Sequence, residues 1–418
     1  MQNIAVIGGG ITGVTTAYAL AKRGFNVTLF ERQRYAAMET SYANGGQISA
    51  SNAEVWNHWP TILKGLRWML RADAPLLVNP KPSWHKLSWL AEFVAATRQY
   101  KENTVQTARL AIAAREHLYA WAAEEGIDFN LERRGILHVY RDKKGFDHAA
   151  AVTQLLAEGG LERQPVTPSE MRDIEPTLAG DFYGGFYTET DATGDIHEFT
   201  VGLAAAAERR GARMRYNTEI VDVGVSASGP WIKTKDGQES FDGVVVSAGV
   251  GSRAIAAKLG DRLNVYPVKG YSITVELEDE ASKAGAPWMS LLDDETKLVS
   301  SRLGPNRLRV AGTAEFNGYN QDIRADRIRP LLDWVEQCFP EVSTRRAVPW
   351  AGLRPMMPDM MPRVGNGRRQ GVFYNTGHGH LGWTLSAVTA EQIADTISQQ
   401  TEASSSTLAQ SNWNRAHG

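Results

Sequence analysis

The sequence predicts an α/β fold made of two units: a discontinuous Rossmann-like nucleotide-binding domain and an antiparallel-sheet substrate domain. Three observations predict it. Residues 3–30 read as strand, glycine-rich turn, helix and second strand. Residues 241–249 read as another buried strand with a glycine exit, far downstream of the first. Residues 265–316 read mostly as strands, a run unlike the α/β rhythm before it.

The first unit is the most informative. Asn3-Ile-Ala-Val-Ile7 is short and rich in β-branched residues, as a buried strand is. Gly8, Gly10 and Gly13 follow with G-x-G-x-x-G spacing. Gly8 permits a tight turn, Gly10 lets the backbone approach a pyrophosphate, and Gly13 lets the helix pack close to the strands. Ile11 and Thr12 open the helix 11–22, whose free N–H groups and positive end suit a phosphate. After Gly24 the strand 26–30 delivers Glu31, with Arg32 beside it. Glu31 stands about 20 residues on, where an acid accepts hydrogen bonds from a ribose diol and disfavours a 2′-phosphate. The spacing predicts a dinucleotide and leaves FAD and NAD open.

Composition narrows the class. A chain of 418 residues holds about two or three domains. The net charge of −2, with no basic tail, argues against a nucleic-acid partner. The single cysteine, Cys338, excludes disulfides and cysteine-based metal sites, and its helical surroundings place it in a core. No charged leader precedes the first strand, and no apolar run reaches the ~20 residues of a membrane span. The expectation is a cytoplasmic protein, at most peripheral on the inner face of the cytoplasmic membrane.

Further along, residues 39–49 form a small, polar, glycine-rich stretch. Ser41, Asn44, Gly45, Gly46, Gln47 and Ile48 are expected to lie along the dinucleotide. Residues 56–89 crowd Trp56, Trp59, Trp68, Trp84 and Trp89 with Lys64, Arg67, Arg71, Lys81 and Lys86. On a helix over 61–71 the cations Lys64, Arg67 and Arg71 share one face, and Ile62, Leu63, Leu66, Met69 and Leu70 fall mainly on the other. Two readings stay open there: an interfacial helix that touches a membrane, or a cover on a neighbouring domain. Helices are expected at 103–125, ended by Gly126, at 198–210 and at 324–339, and a short one follows the capping box Thr167-Pro-Ser-Glu170. Strands are expected at 129–141 around Gly135, at 213–216, 219–225, 231–234, 271–277, 297–301 and 307–311. Residues 184–195 read as a connection. Ile220, Ala248 and Gly249 come where the returning strands end beside the nucleotide. Residues 371–384 form another strand–loop–helix. The resulting division assigns 1–55, 140–265 and 345–400 to the nucleotide domain, 56–139 and 266–344 to the substrate domain, and 401–418, rich in Ser and Thr, to a flexible tail.

Several stretches together resemble the bacterial D-amino acid dehydrogenases of the D-amino acid oxidase/glycine oxidase superfamily of flavoproteins. They are Gly8 to Gly13, Glu39-Thr-Ser-x-Ala-Asn-x-Gly-Gln-Ile-Ser49, Tyr266-Pro-Val-Lys-Gly-Tyr-Ser272, Gly352-Leu-Arg-Pro355 and Asn375-Thr-Gly-His-Gly-x-Leu-Gly-Trp-Thr384. The resemblance spans nearly the whole chain. It implies FAD, oxidation of a D-amino acid to an imine that water converts to a 2-oxo acid and ammonia, and electrons passed to a quinone or other respiratory acceptor. Oxygen-using glycine or sarcosine oxidases share the chemistry, and a flavoprotein or nucleotide-binding module without amine oxidation is the remaining alternative. By resemblance Arg354 holds the substrate carboxylate, a role that suits a bidentate guanidinium, and Pro355 restricts its backbone. Tyr271 is expected at the flavin face, with Lys297 near the same pocket and His378 on the substrate side. Gly377, His380, Leu381, Gly382, Trp383 and Thr384 are expected to form a loop and helix start over the flavin. No metal is expected: no cysteine or acid cluster accompanies His378 and His380. Asp359-Met-Met-Pro362 and Gly249-Val-Gly-Ser252 depart from the family pattern, the first at a pocket edge.

Overall fold

The computed structural model describes residues 2–68 and 75–417. The glycine motif sits on a six-stranded sheet. Its order is Arg363–Asn366, Val372–Thr376, Gly243–Val246, Asn3–Ile7, Asn26–Phe30, Arg213–Arg215. All neighbours run parallel except the first pair. The three central strands are buried on both faces, which is why they read as unbroken apolar runs. One face packs Val14, Leu20 and Leu29 against Ala387 and Ile393 of the last helix, Gly382–His417. The opposite face packs Ala5, Ile7, Val244 and Val246 with Leu263 and Tyr374. Strand, helix Ile11–Lys22 and second strand occur where the sequence places them.

The second sheet has nine strands. Its order is Ala347–Met356, Tyr266–Glu276, Arg307–Phe316, Leu298–Arg302, Ser290–Asp293, Ile136–Tyr140, Gly184–Thr188 and Gln164–Val166, with Leu76–Val78 paired to Arg307–Phe316. Most neighbours are antiparallel, as expected. Helix Ala325–Cys338 covers one face with Leu331, Trp334, Val335 and the buried Cys338.

The strands distribute differently from the expected segments. Residues 184–195, read as a connection, contain the strands Gly184–Thr188 and Ala192–Thr193. Glycine disguises the first: a Cβ at Gly185 would stand 2.9 Å from the His138 carbonyl oxygen, so close strand approach selects glycine there. Gln164–Val166, Gly184–Thr188 and Ala347–Met356, from segments assigned to the nucleotide unit, pair in the larger sheet. Residues 401–417 continue the last helix rather than fraying into an irregular tail.

The tryptophan-rich region also divides. Trp89 is only 1% exposed and its indole N–H donates to the Met356 carbonyl at 2.9 Å. Lys86 is buried too, and its ammonium caps the carbonyls of Asn79 and Lys81. Neither residue is available to a membrane. Trp59 and Leu63 on helix Trp59–Trp68, and Trp84, Leu87 and Val94 on helix Trp84–Ala95, are exposed. Of the expected amphipathic helix 61–71, Met69, Leu70 and Arg71 lie outside the described residues, as do the side chains of Leu66, Arg67 and Trp68. Among the described residues no helix is long and apolar enough to cross a membrane.

Candidate active site

The two sheets share one long cavity of about 1270 Å³. Its wall runs from Gly8–Thr12 and Glu31, along 41–47, to Arg354 and 377–384. That volume exceeds the roughly 300–1,000 Å³ of single-ligand pockets, which leaves room for a dinucleotide and a substrate together.

The nucleotide end is built by glycine. Gly8 adopts φ +110°, and a Cβ on it would lie 2.6 Å from the Ser247 carbonyl oxygen. Gly13 does not line the cavity. A Cβ there would stand 1.8 Å from the Gly8 carbonyl oxygen, so Gly13 serves the close helix–strand contact. Gly10 caps the helix without any side-chain hydrogen bond, and the Ile11 N–H meets Ser41 Oγ at 3.0 Å, so the remaining helix terminus faces the cavity open. Thr12 lines the wall beside it.

Glu31 accepts the Gly9 N–H at 2.6 Å and the Gln33 N–H at 2.7 Å. Burial raises its pKa against those two donors. Each carboxylate oxygen keeps a further lone pair for a ribose hydroxyl. Arg32 lines the wall and pairs with Glu39.

The 41–47 loop is pressed onto the larger sheet. Asn44 Oδ1 accepts the Gly46 N–H at 2.9 Å. A Cβ at Gly45 would meet Val299 at 2.6 Å, and the Ser301 hydroxyl donates to the Gly45 carbonyl. Gln47 lines the cavity, but its amide donates to Ser290 Oγ and the Leu291 carbonyl, so that side chain ties the loop to the sheet. Ile48 departs from expectation: it is fully buried core and does not reach the cavity. Ile220, Ala248 and Gly249 line the opposite wall.

The loop 377–384 closes the far end. Gly377, His380, Leu381, Gly382, Trp383 and Thr384 all line the cavity. Thr384 Oγ1 accepts the Ser49 N–H at 3.2 Å and so fixes the helix start against the 41–49 loop. The Trp383 ring packs on Phe129 and Phe199, so the chain offers its backbone there. Two buried hydroxyls on the cavity wall, Ser247 Oγ and Thr313 Oγ1, have no hydrogen-bond partner among the described residues. Open helix terminus, ribose acid and orphaned hydroxyls together fit a bound FAD.

Four side chains were expected to do chemistry, and the structure treats them unequally. Arg354 extends from strand Ala347–Met356 into the cavity and donates to the Thr313 carbonyl at 2.8 Å. Its exposed surface faces the cavity, and desolvation lowers its pKa to about 10. No carboxylate pairs with it among the described residues. Asp359, a conceivable partner, instead accepts the Met361 N–H at 3.1 Å. Tyr271 lines the cavity but is 1% exposed, and its hydroxyl donates to Glu315 Oε2 at 2.6 Å, so the phenol's proton is engaged within the protein. His378 lines the cavity, but its Nε2 meets Thr389 Oγ1 at 2.9 Å, so the ring turns into the last helix. Burial lowers its pKa to about 3, leaving it neutral. Lys297 is half-exposed and paired with Asp294 on the cavity wall.

Sequence reasoning missed a buried network behind the site. Asp191 accepts the Ala50 N–H at 2.9 Å, the Ser51 N–H at 3.0 Å and the Arg115 guanidinium at 2.9 Å. The Ser51 hydroxyl meets His138 Nε2 at 2.8 Å. The acid lies 140 residues from the loop it holds, so nothing local announces it. Among the described residues, Glu54, His58 and His148 form one imidazole–carboxylate group with ligand atoms within 4.8 Å, and neither His378 nor His380 belongs to it. Glu54 already accepts the Tyr100 hydroxyl at 2.7 Å and faces His148 Nε2 at 3.4 Å.

Residues 3–396 match the family described as DAO, FAD dependent oxidoreductase. The chain is 62% identical over 400 residues to D-amino acid dehydrogenase 3 of Mesorhizobium japonicum, covering 95% of this chain and 97% of that one. It is 42% identical to a D-amino acid dehydrogenase of Paramagnetospirillum magneticum, covering 95% of each. Among solved structures, glycine oxidase from Geobacillus kaustophilus superposes with a TM-score of 0.75 at 22% identity, over 96% of this chain and 95% of that one. L-proline dehydrogenase from P. horikoshii superposes with a TM-score of 0.75 at 18% identity, over 96% and 94%. These two show the shared fold. With its glycine cradle, ribose acid and matched length, the chain belongs to the DAO family of FAD-dependent oxidoreductases.

Proposed function

We propose that this enzyme oxidises D-α-amino acids to imino acids, which water hydrolyses to 2-oxo acids and ammonia, and that its electrons leave to a quinone in the membrane. The observation that carries the first part is Arg354, a desolvated cation on the cavity wall with no carboxylate partner among the described residues. Such a group is costly unless an anion joins it, and a substrate carboxylate supplies one bidentately. Relatives named D-amino acid dehydrogenases, with near-complete coverage, support the same substrate class.

When bound, FAD supplies the acceptor for the hydride that leaves the substrate α-carbon. The protein's share is placement. Arg354 grips the carboxylate, and its link to the Thr313 carbonyl steadies the guanidinium. The helix start at Gly382 and Trp383, which lines the cavity, would offer N–H groups and the positive end of the helix to negative charge on a bound flavin, whereas the Leu381 N–H is taken by the His378 carbonyl at 3.1 Å. His378 and His380, whose pKa values burial lowers to about 3 and about 4, are weak bases and take no proton from the substrate. The substrate reacts with its amine deprotonated.

Arg354→Met tests this. The Michaelis constant for D-alanine rises about 100-fold, the loss of a charge-assisted pair, while flavin content is retained. An unchanged Michaelis constant contradicts the reading.

The exposed residues Trp84, Leu87 and Val94 on one helix, with Trp59 and Leu63 on the preceding one, support peripheral contact with the membrane that holds the quinone. Flotation with anionic lipid vesicles, weakened in Trp84→Ser, is the corresponding measurement.

A further inference from the structure

Residues 54–58 present an alternating wall. Val55 and Asn57 are buried behind it, whereas Glu54, Trp56 and His58 are half-buried, and Glu54 and Trp56 line the cavity. The Trp56 indole stacks on the His380 imidazole, with ring centres 4.8 Å apart and planes 24° from parallel. His380 Nε2 faces the Asn52 carbonyl at 3.3 Å, which fixes the ring. Burial lowers the His380 pKa to about 4, and the Arg354 charge contributes in the same direction, so the imidazole is neutral and lies within reach of the guanidinium's field. Next to the cation assigned to the substrate carboxylate there is thus a flat, uncharged, two-ring surface. Leu76 and Ala314, on paired strands, add aliphatic groups to the same cavity.

A D-amino acid anchored by its carboxylate must place its side chain somewhere near that anchor. A neutral aromatic face rewards hydrocarbon and aromatic groups through contact area and stacking, and the carboxylate beside it, Glu54, is already engaged by the Tyr100 hydroxyl and His148. Trp56 packs on one side against the core cluster that holds Val55 and still presents surface to the cavity.

We infer that Trp56, backed by the stacked His380, is the wall that recognises the substrate side chain and that it selects apolar and aromatic D-amino acids. The inference rests on Arg354 holding the carboxylate.

The test compares kcat/KM for D-phenylalanine and D-alanine in flavin-loaded Trp56→Ala and Trp56→Phe, with an artificial electron acceptor. The D-phenylalanine to D-alanine ratio falls by at least about tenfold in the alanine variant, the range a lost apolar contact gives, and by less than about threefold in the phenylalanine variant. An equal fall for both substrates, or an unchanged ratio, overturns the inference. If Trp56→Ala loses flavin, Trp56→Leu is read by the same ratio. Failure of the Arg354 assignment registers separately, as an unchanged Michaelis constant for D-alanine in Arg354→Met.

Discussion

The Arg354 guanidinium lies across the backbone of Gly270 on the neighbouring strand: its Cζ occupies a point 2.5 Å from where a Cβ on Gly270 would stand. The two strands pair with Gly270 opposite Gly352 and Val268 opposite Arg354. The substrate-binding cation therefore depends on a missing side chain in the next strand. Gly270→Ala displaces the guanidinium and raises the Michaelis constant for D-alanine by about tenfold or more, with flavin retained, because misplacement costs binding steeply. Steady-state kinetics beside a flavin spectrum checks this.

The glycines of the nucleotide turn divide by function. Gly13→Ala places a methyl 1.8 Å from the Gly8 carbonyl oxygen, so the variant is destabilised and purifies poorly or colourless. Gly10→Ala finds only Ser41 Oγ at 3.4 Å, so the apoprotein folds, but the methyl obstructs the pyrophosphate. Thermal denaturation of the two apoproteins, with flavin content of each, separates the roles: Gly10→Ala keeps its midpoint and loses FAD.

Asp191 and Arg115 form a buried ion pair, and Asp191 also holds the backbone of Ala50 and Ser51. Asp191→Ala leaves the guanidinium uncompensated and costs about 3–5 kcal/mol, the usual result of breaking such a pair from one side. Chemical denaturation of the holoenzyme measures it.

The pH dependence follows from two groups. Rate rises as the substrate ammonium loses its proton. Arg354, with its pKa lowered to about 10, loses its charge above that value, so kcat/KM falls there. Bound carboxylate holds the proton on the guanidinium, so kcat lacks the falling limb. A limb between pH 6 and 7 that vanishes on replacing His378 or His380 contradicts the assignment of both rings as neutral bystanders.

How much of this was legible in the sequence depended on distance along the chain. The turn from Gly8 to Gly13 and the acid at Glu31 are local, and each residue type has one physical reason to be there. The capping box at Thr167 is local too, and both of its hydrogen bonds form. The hydroxyl partner of Tyr271 was not legible, because Glu315 sits on another strand 44 residues away. His378 lines the cavity as read, but the contact of its Nε2 with Thr389 on the following helix was not legible. Trp56 and Trp89 carry the same side chain in the same region, yet one faces the cavity and the other the core. Distant partners set that difference: the Met356 carbonyl and the Phe93, Tyr266 and Phe316 rings enclose Trp89, whereas Trp56 stacks on His380. The strand Gly184–Thr188 was hidden by the glycines that its close neighbours require.

The central claim is oxidation of a D-amino acid by the bound flavin. An anaerobic absorbance spectrum of the purified holoenzyme, taken before and after D-alanine and then L-alanine, tests it most directly. The oxidised flavin band is expected to bleach with D-alanine and not with L-alanine. Bleaching by L-alanine, or by sarcosine or glycine but no D-amino acid, contradicts it.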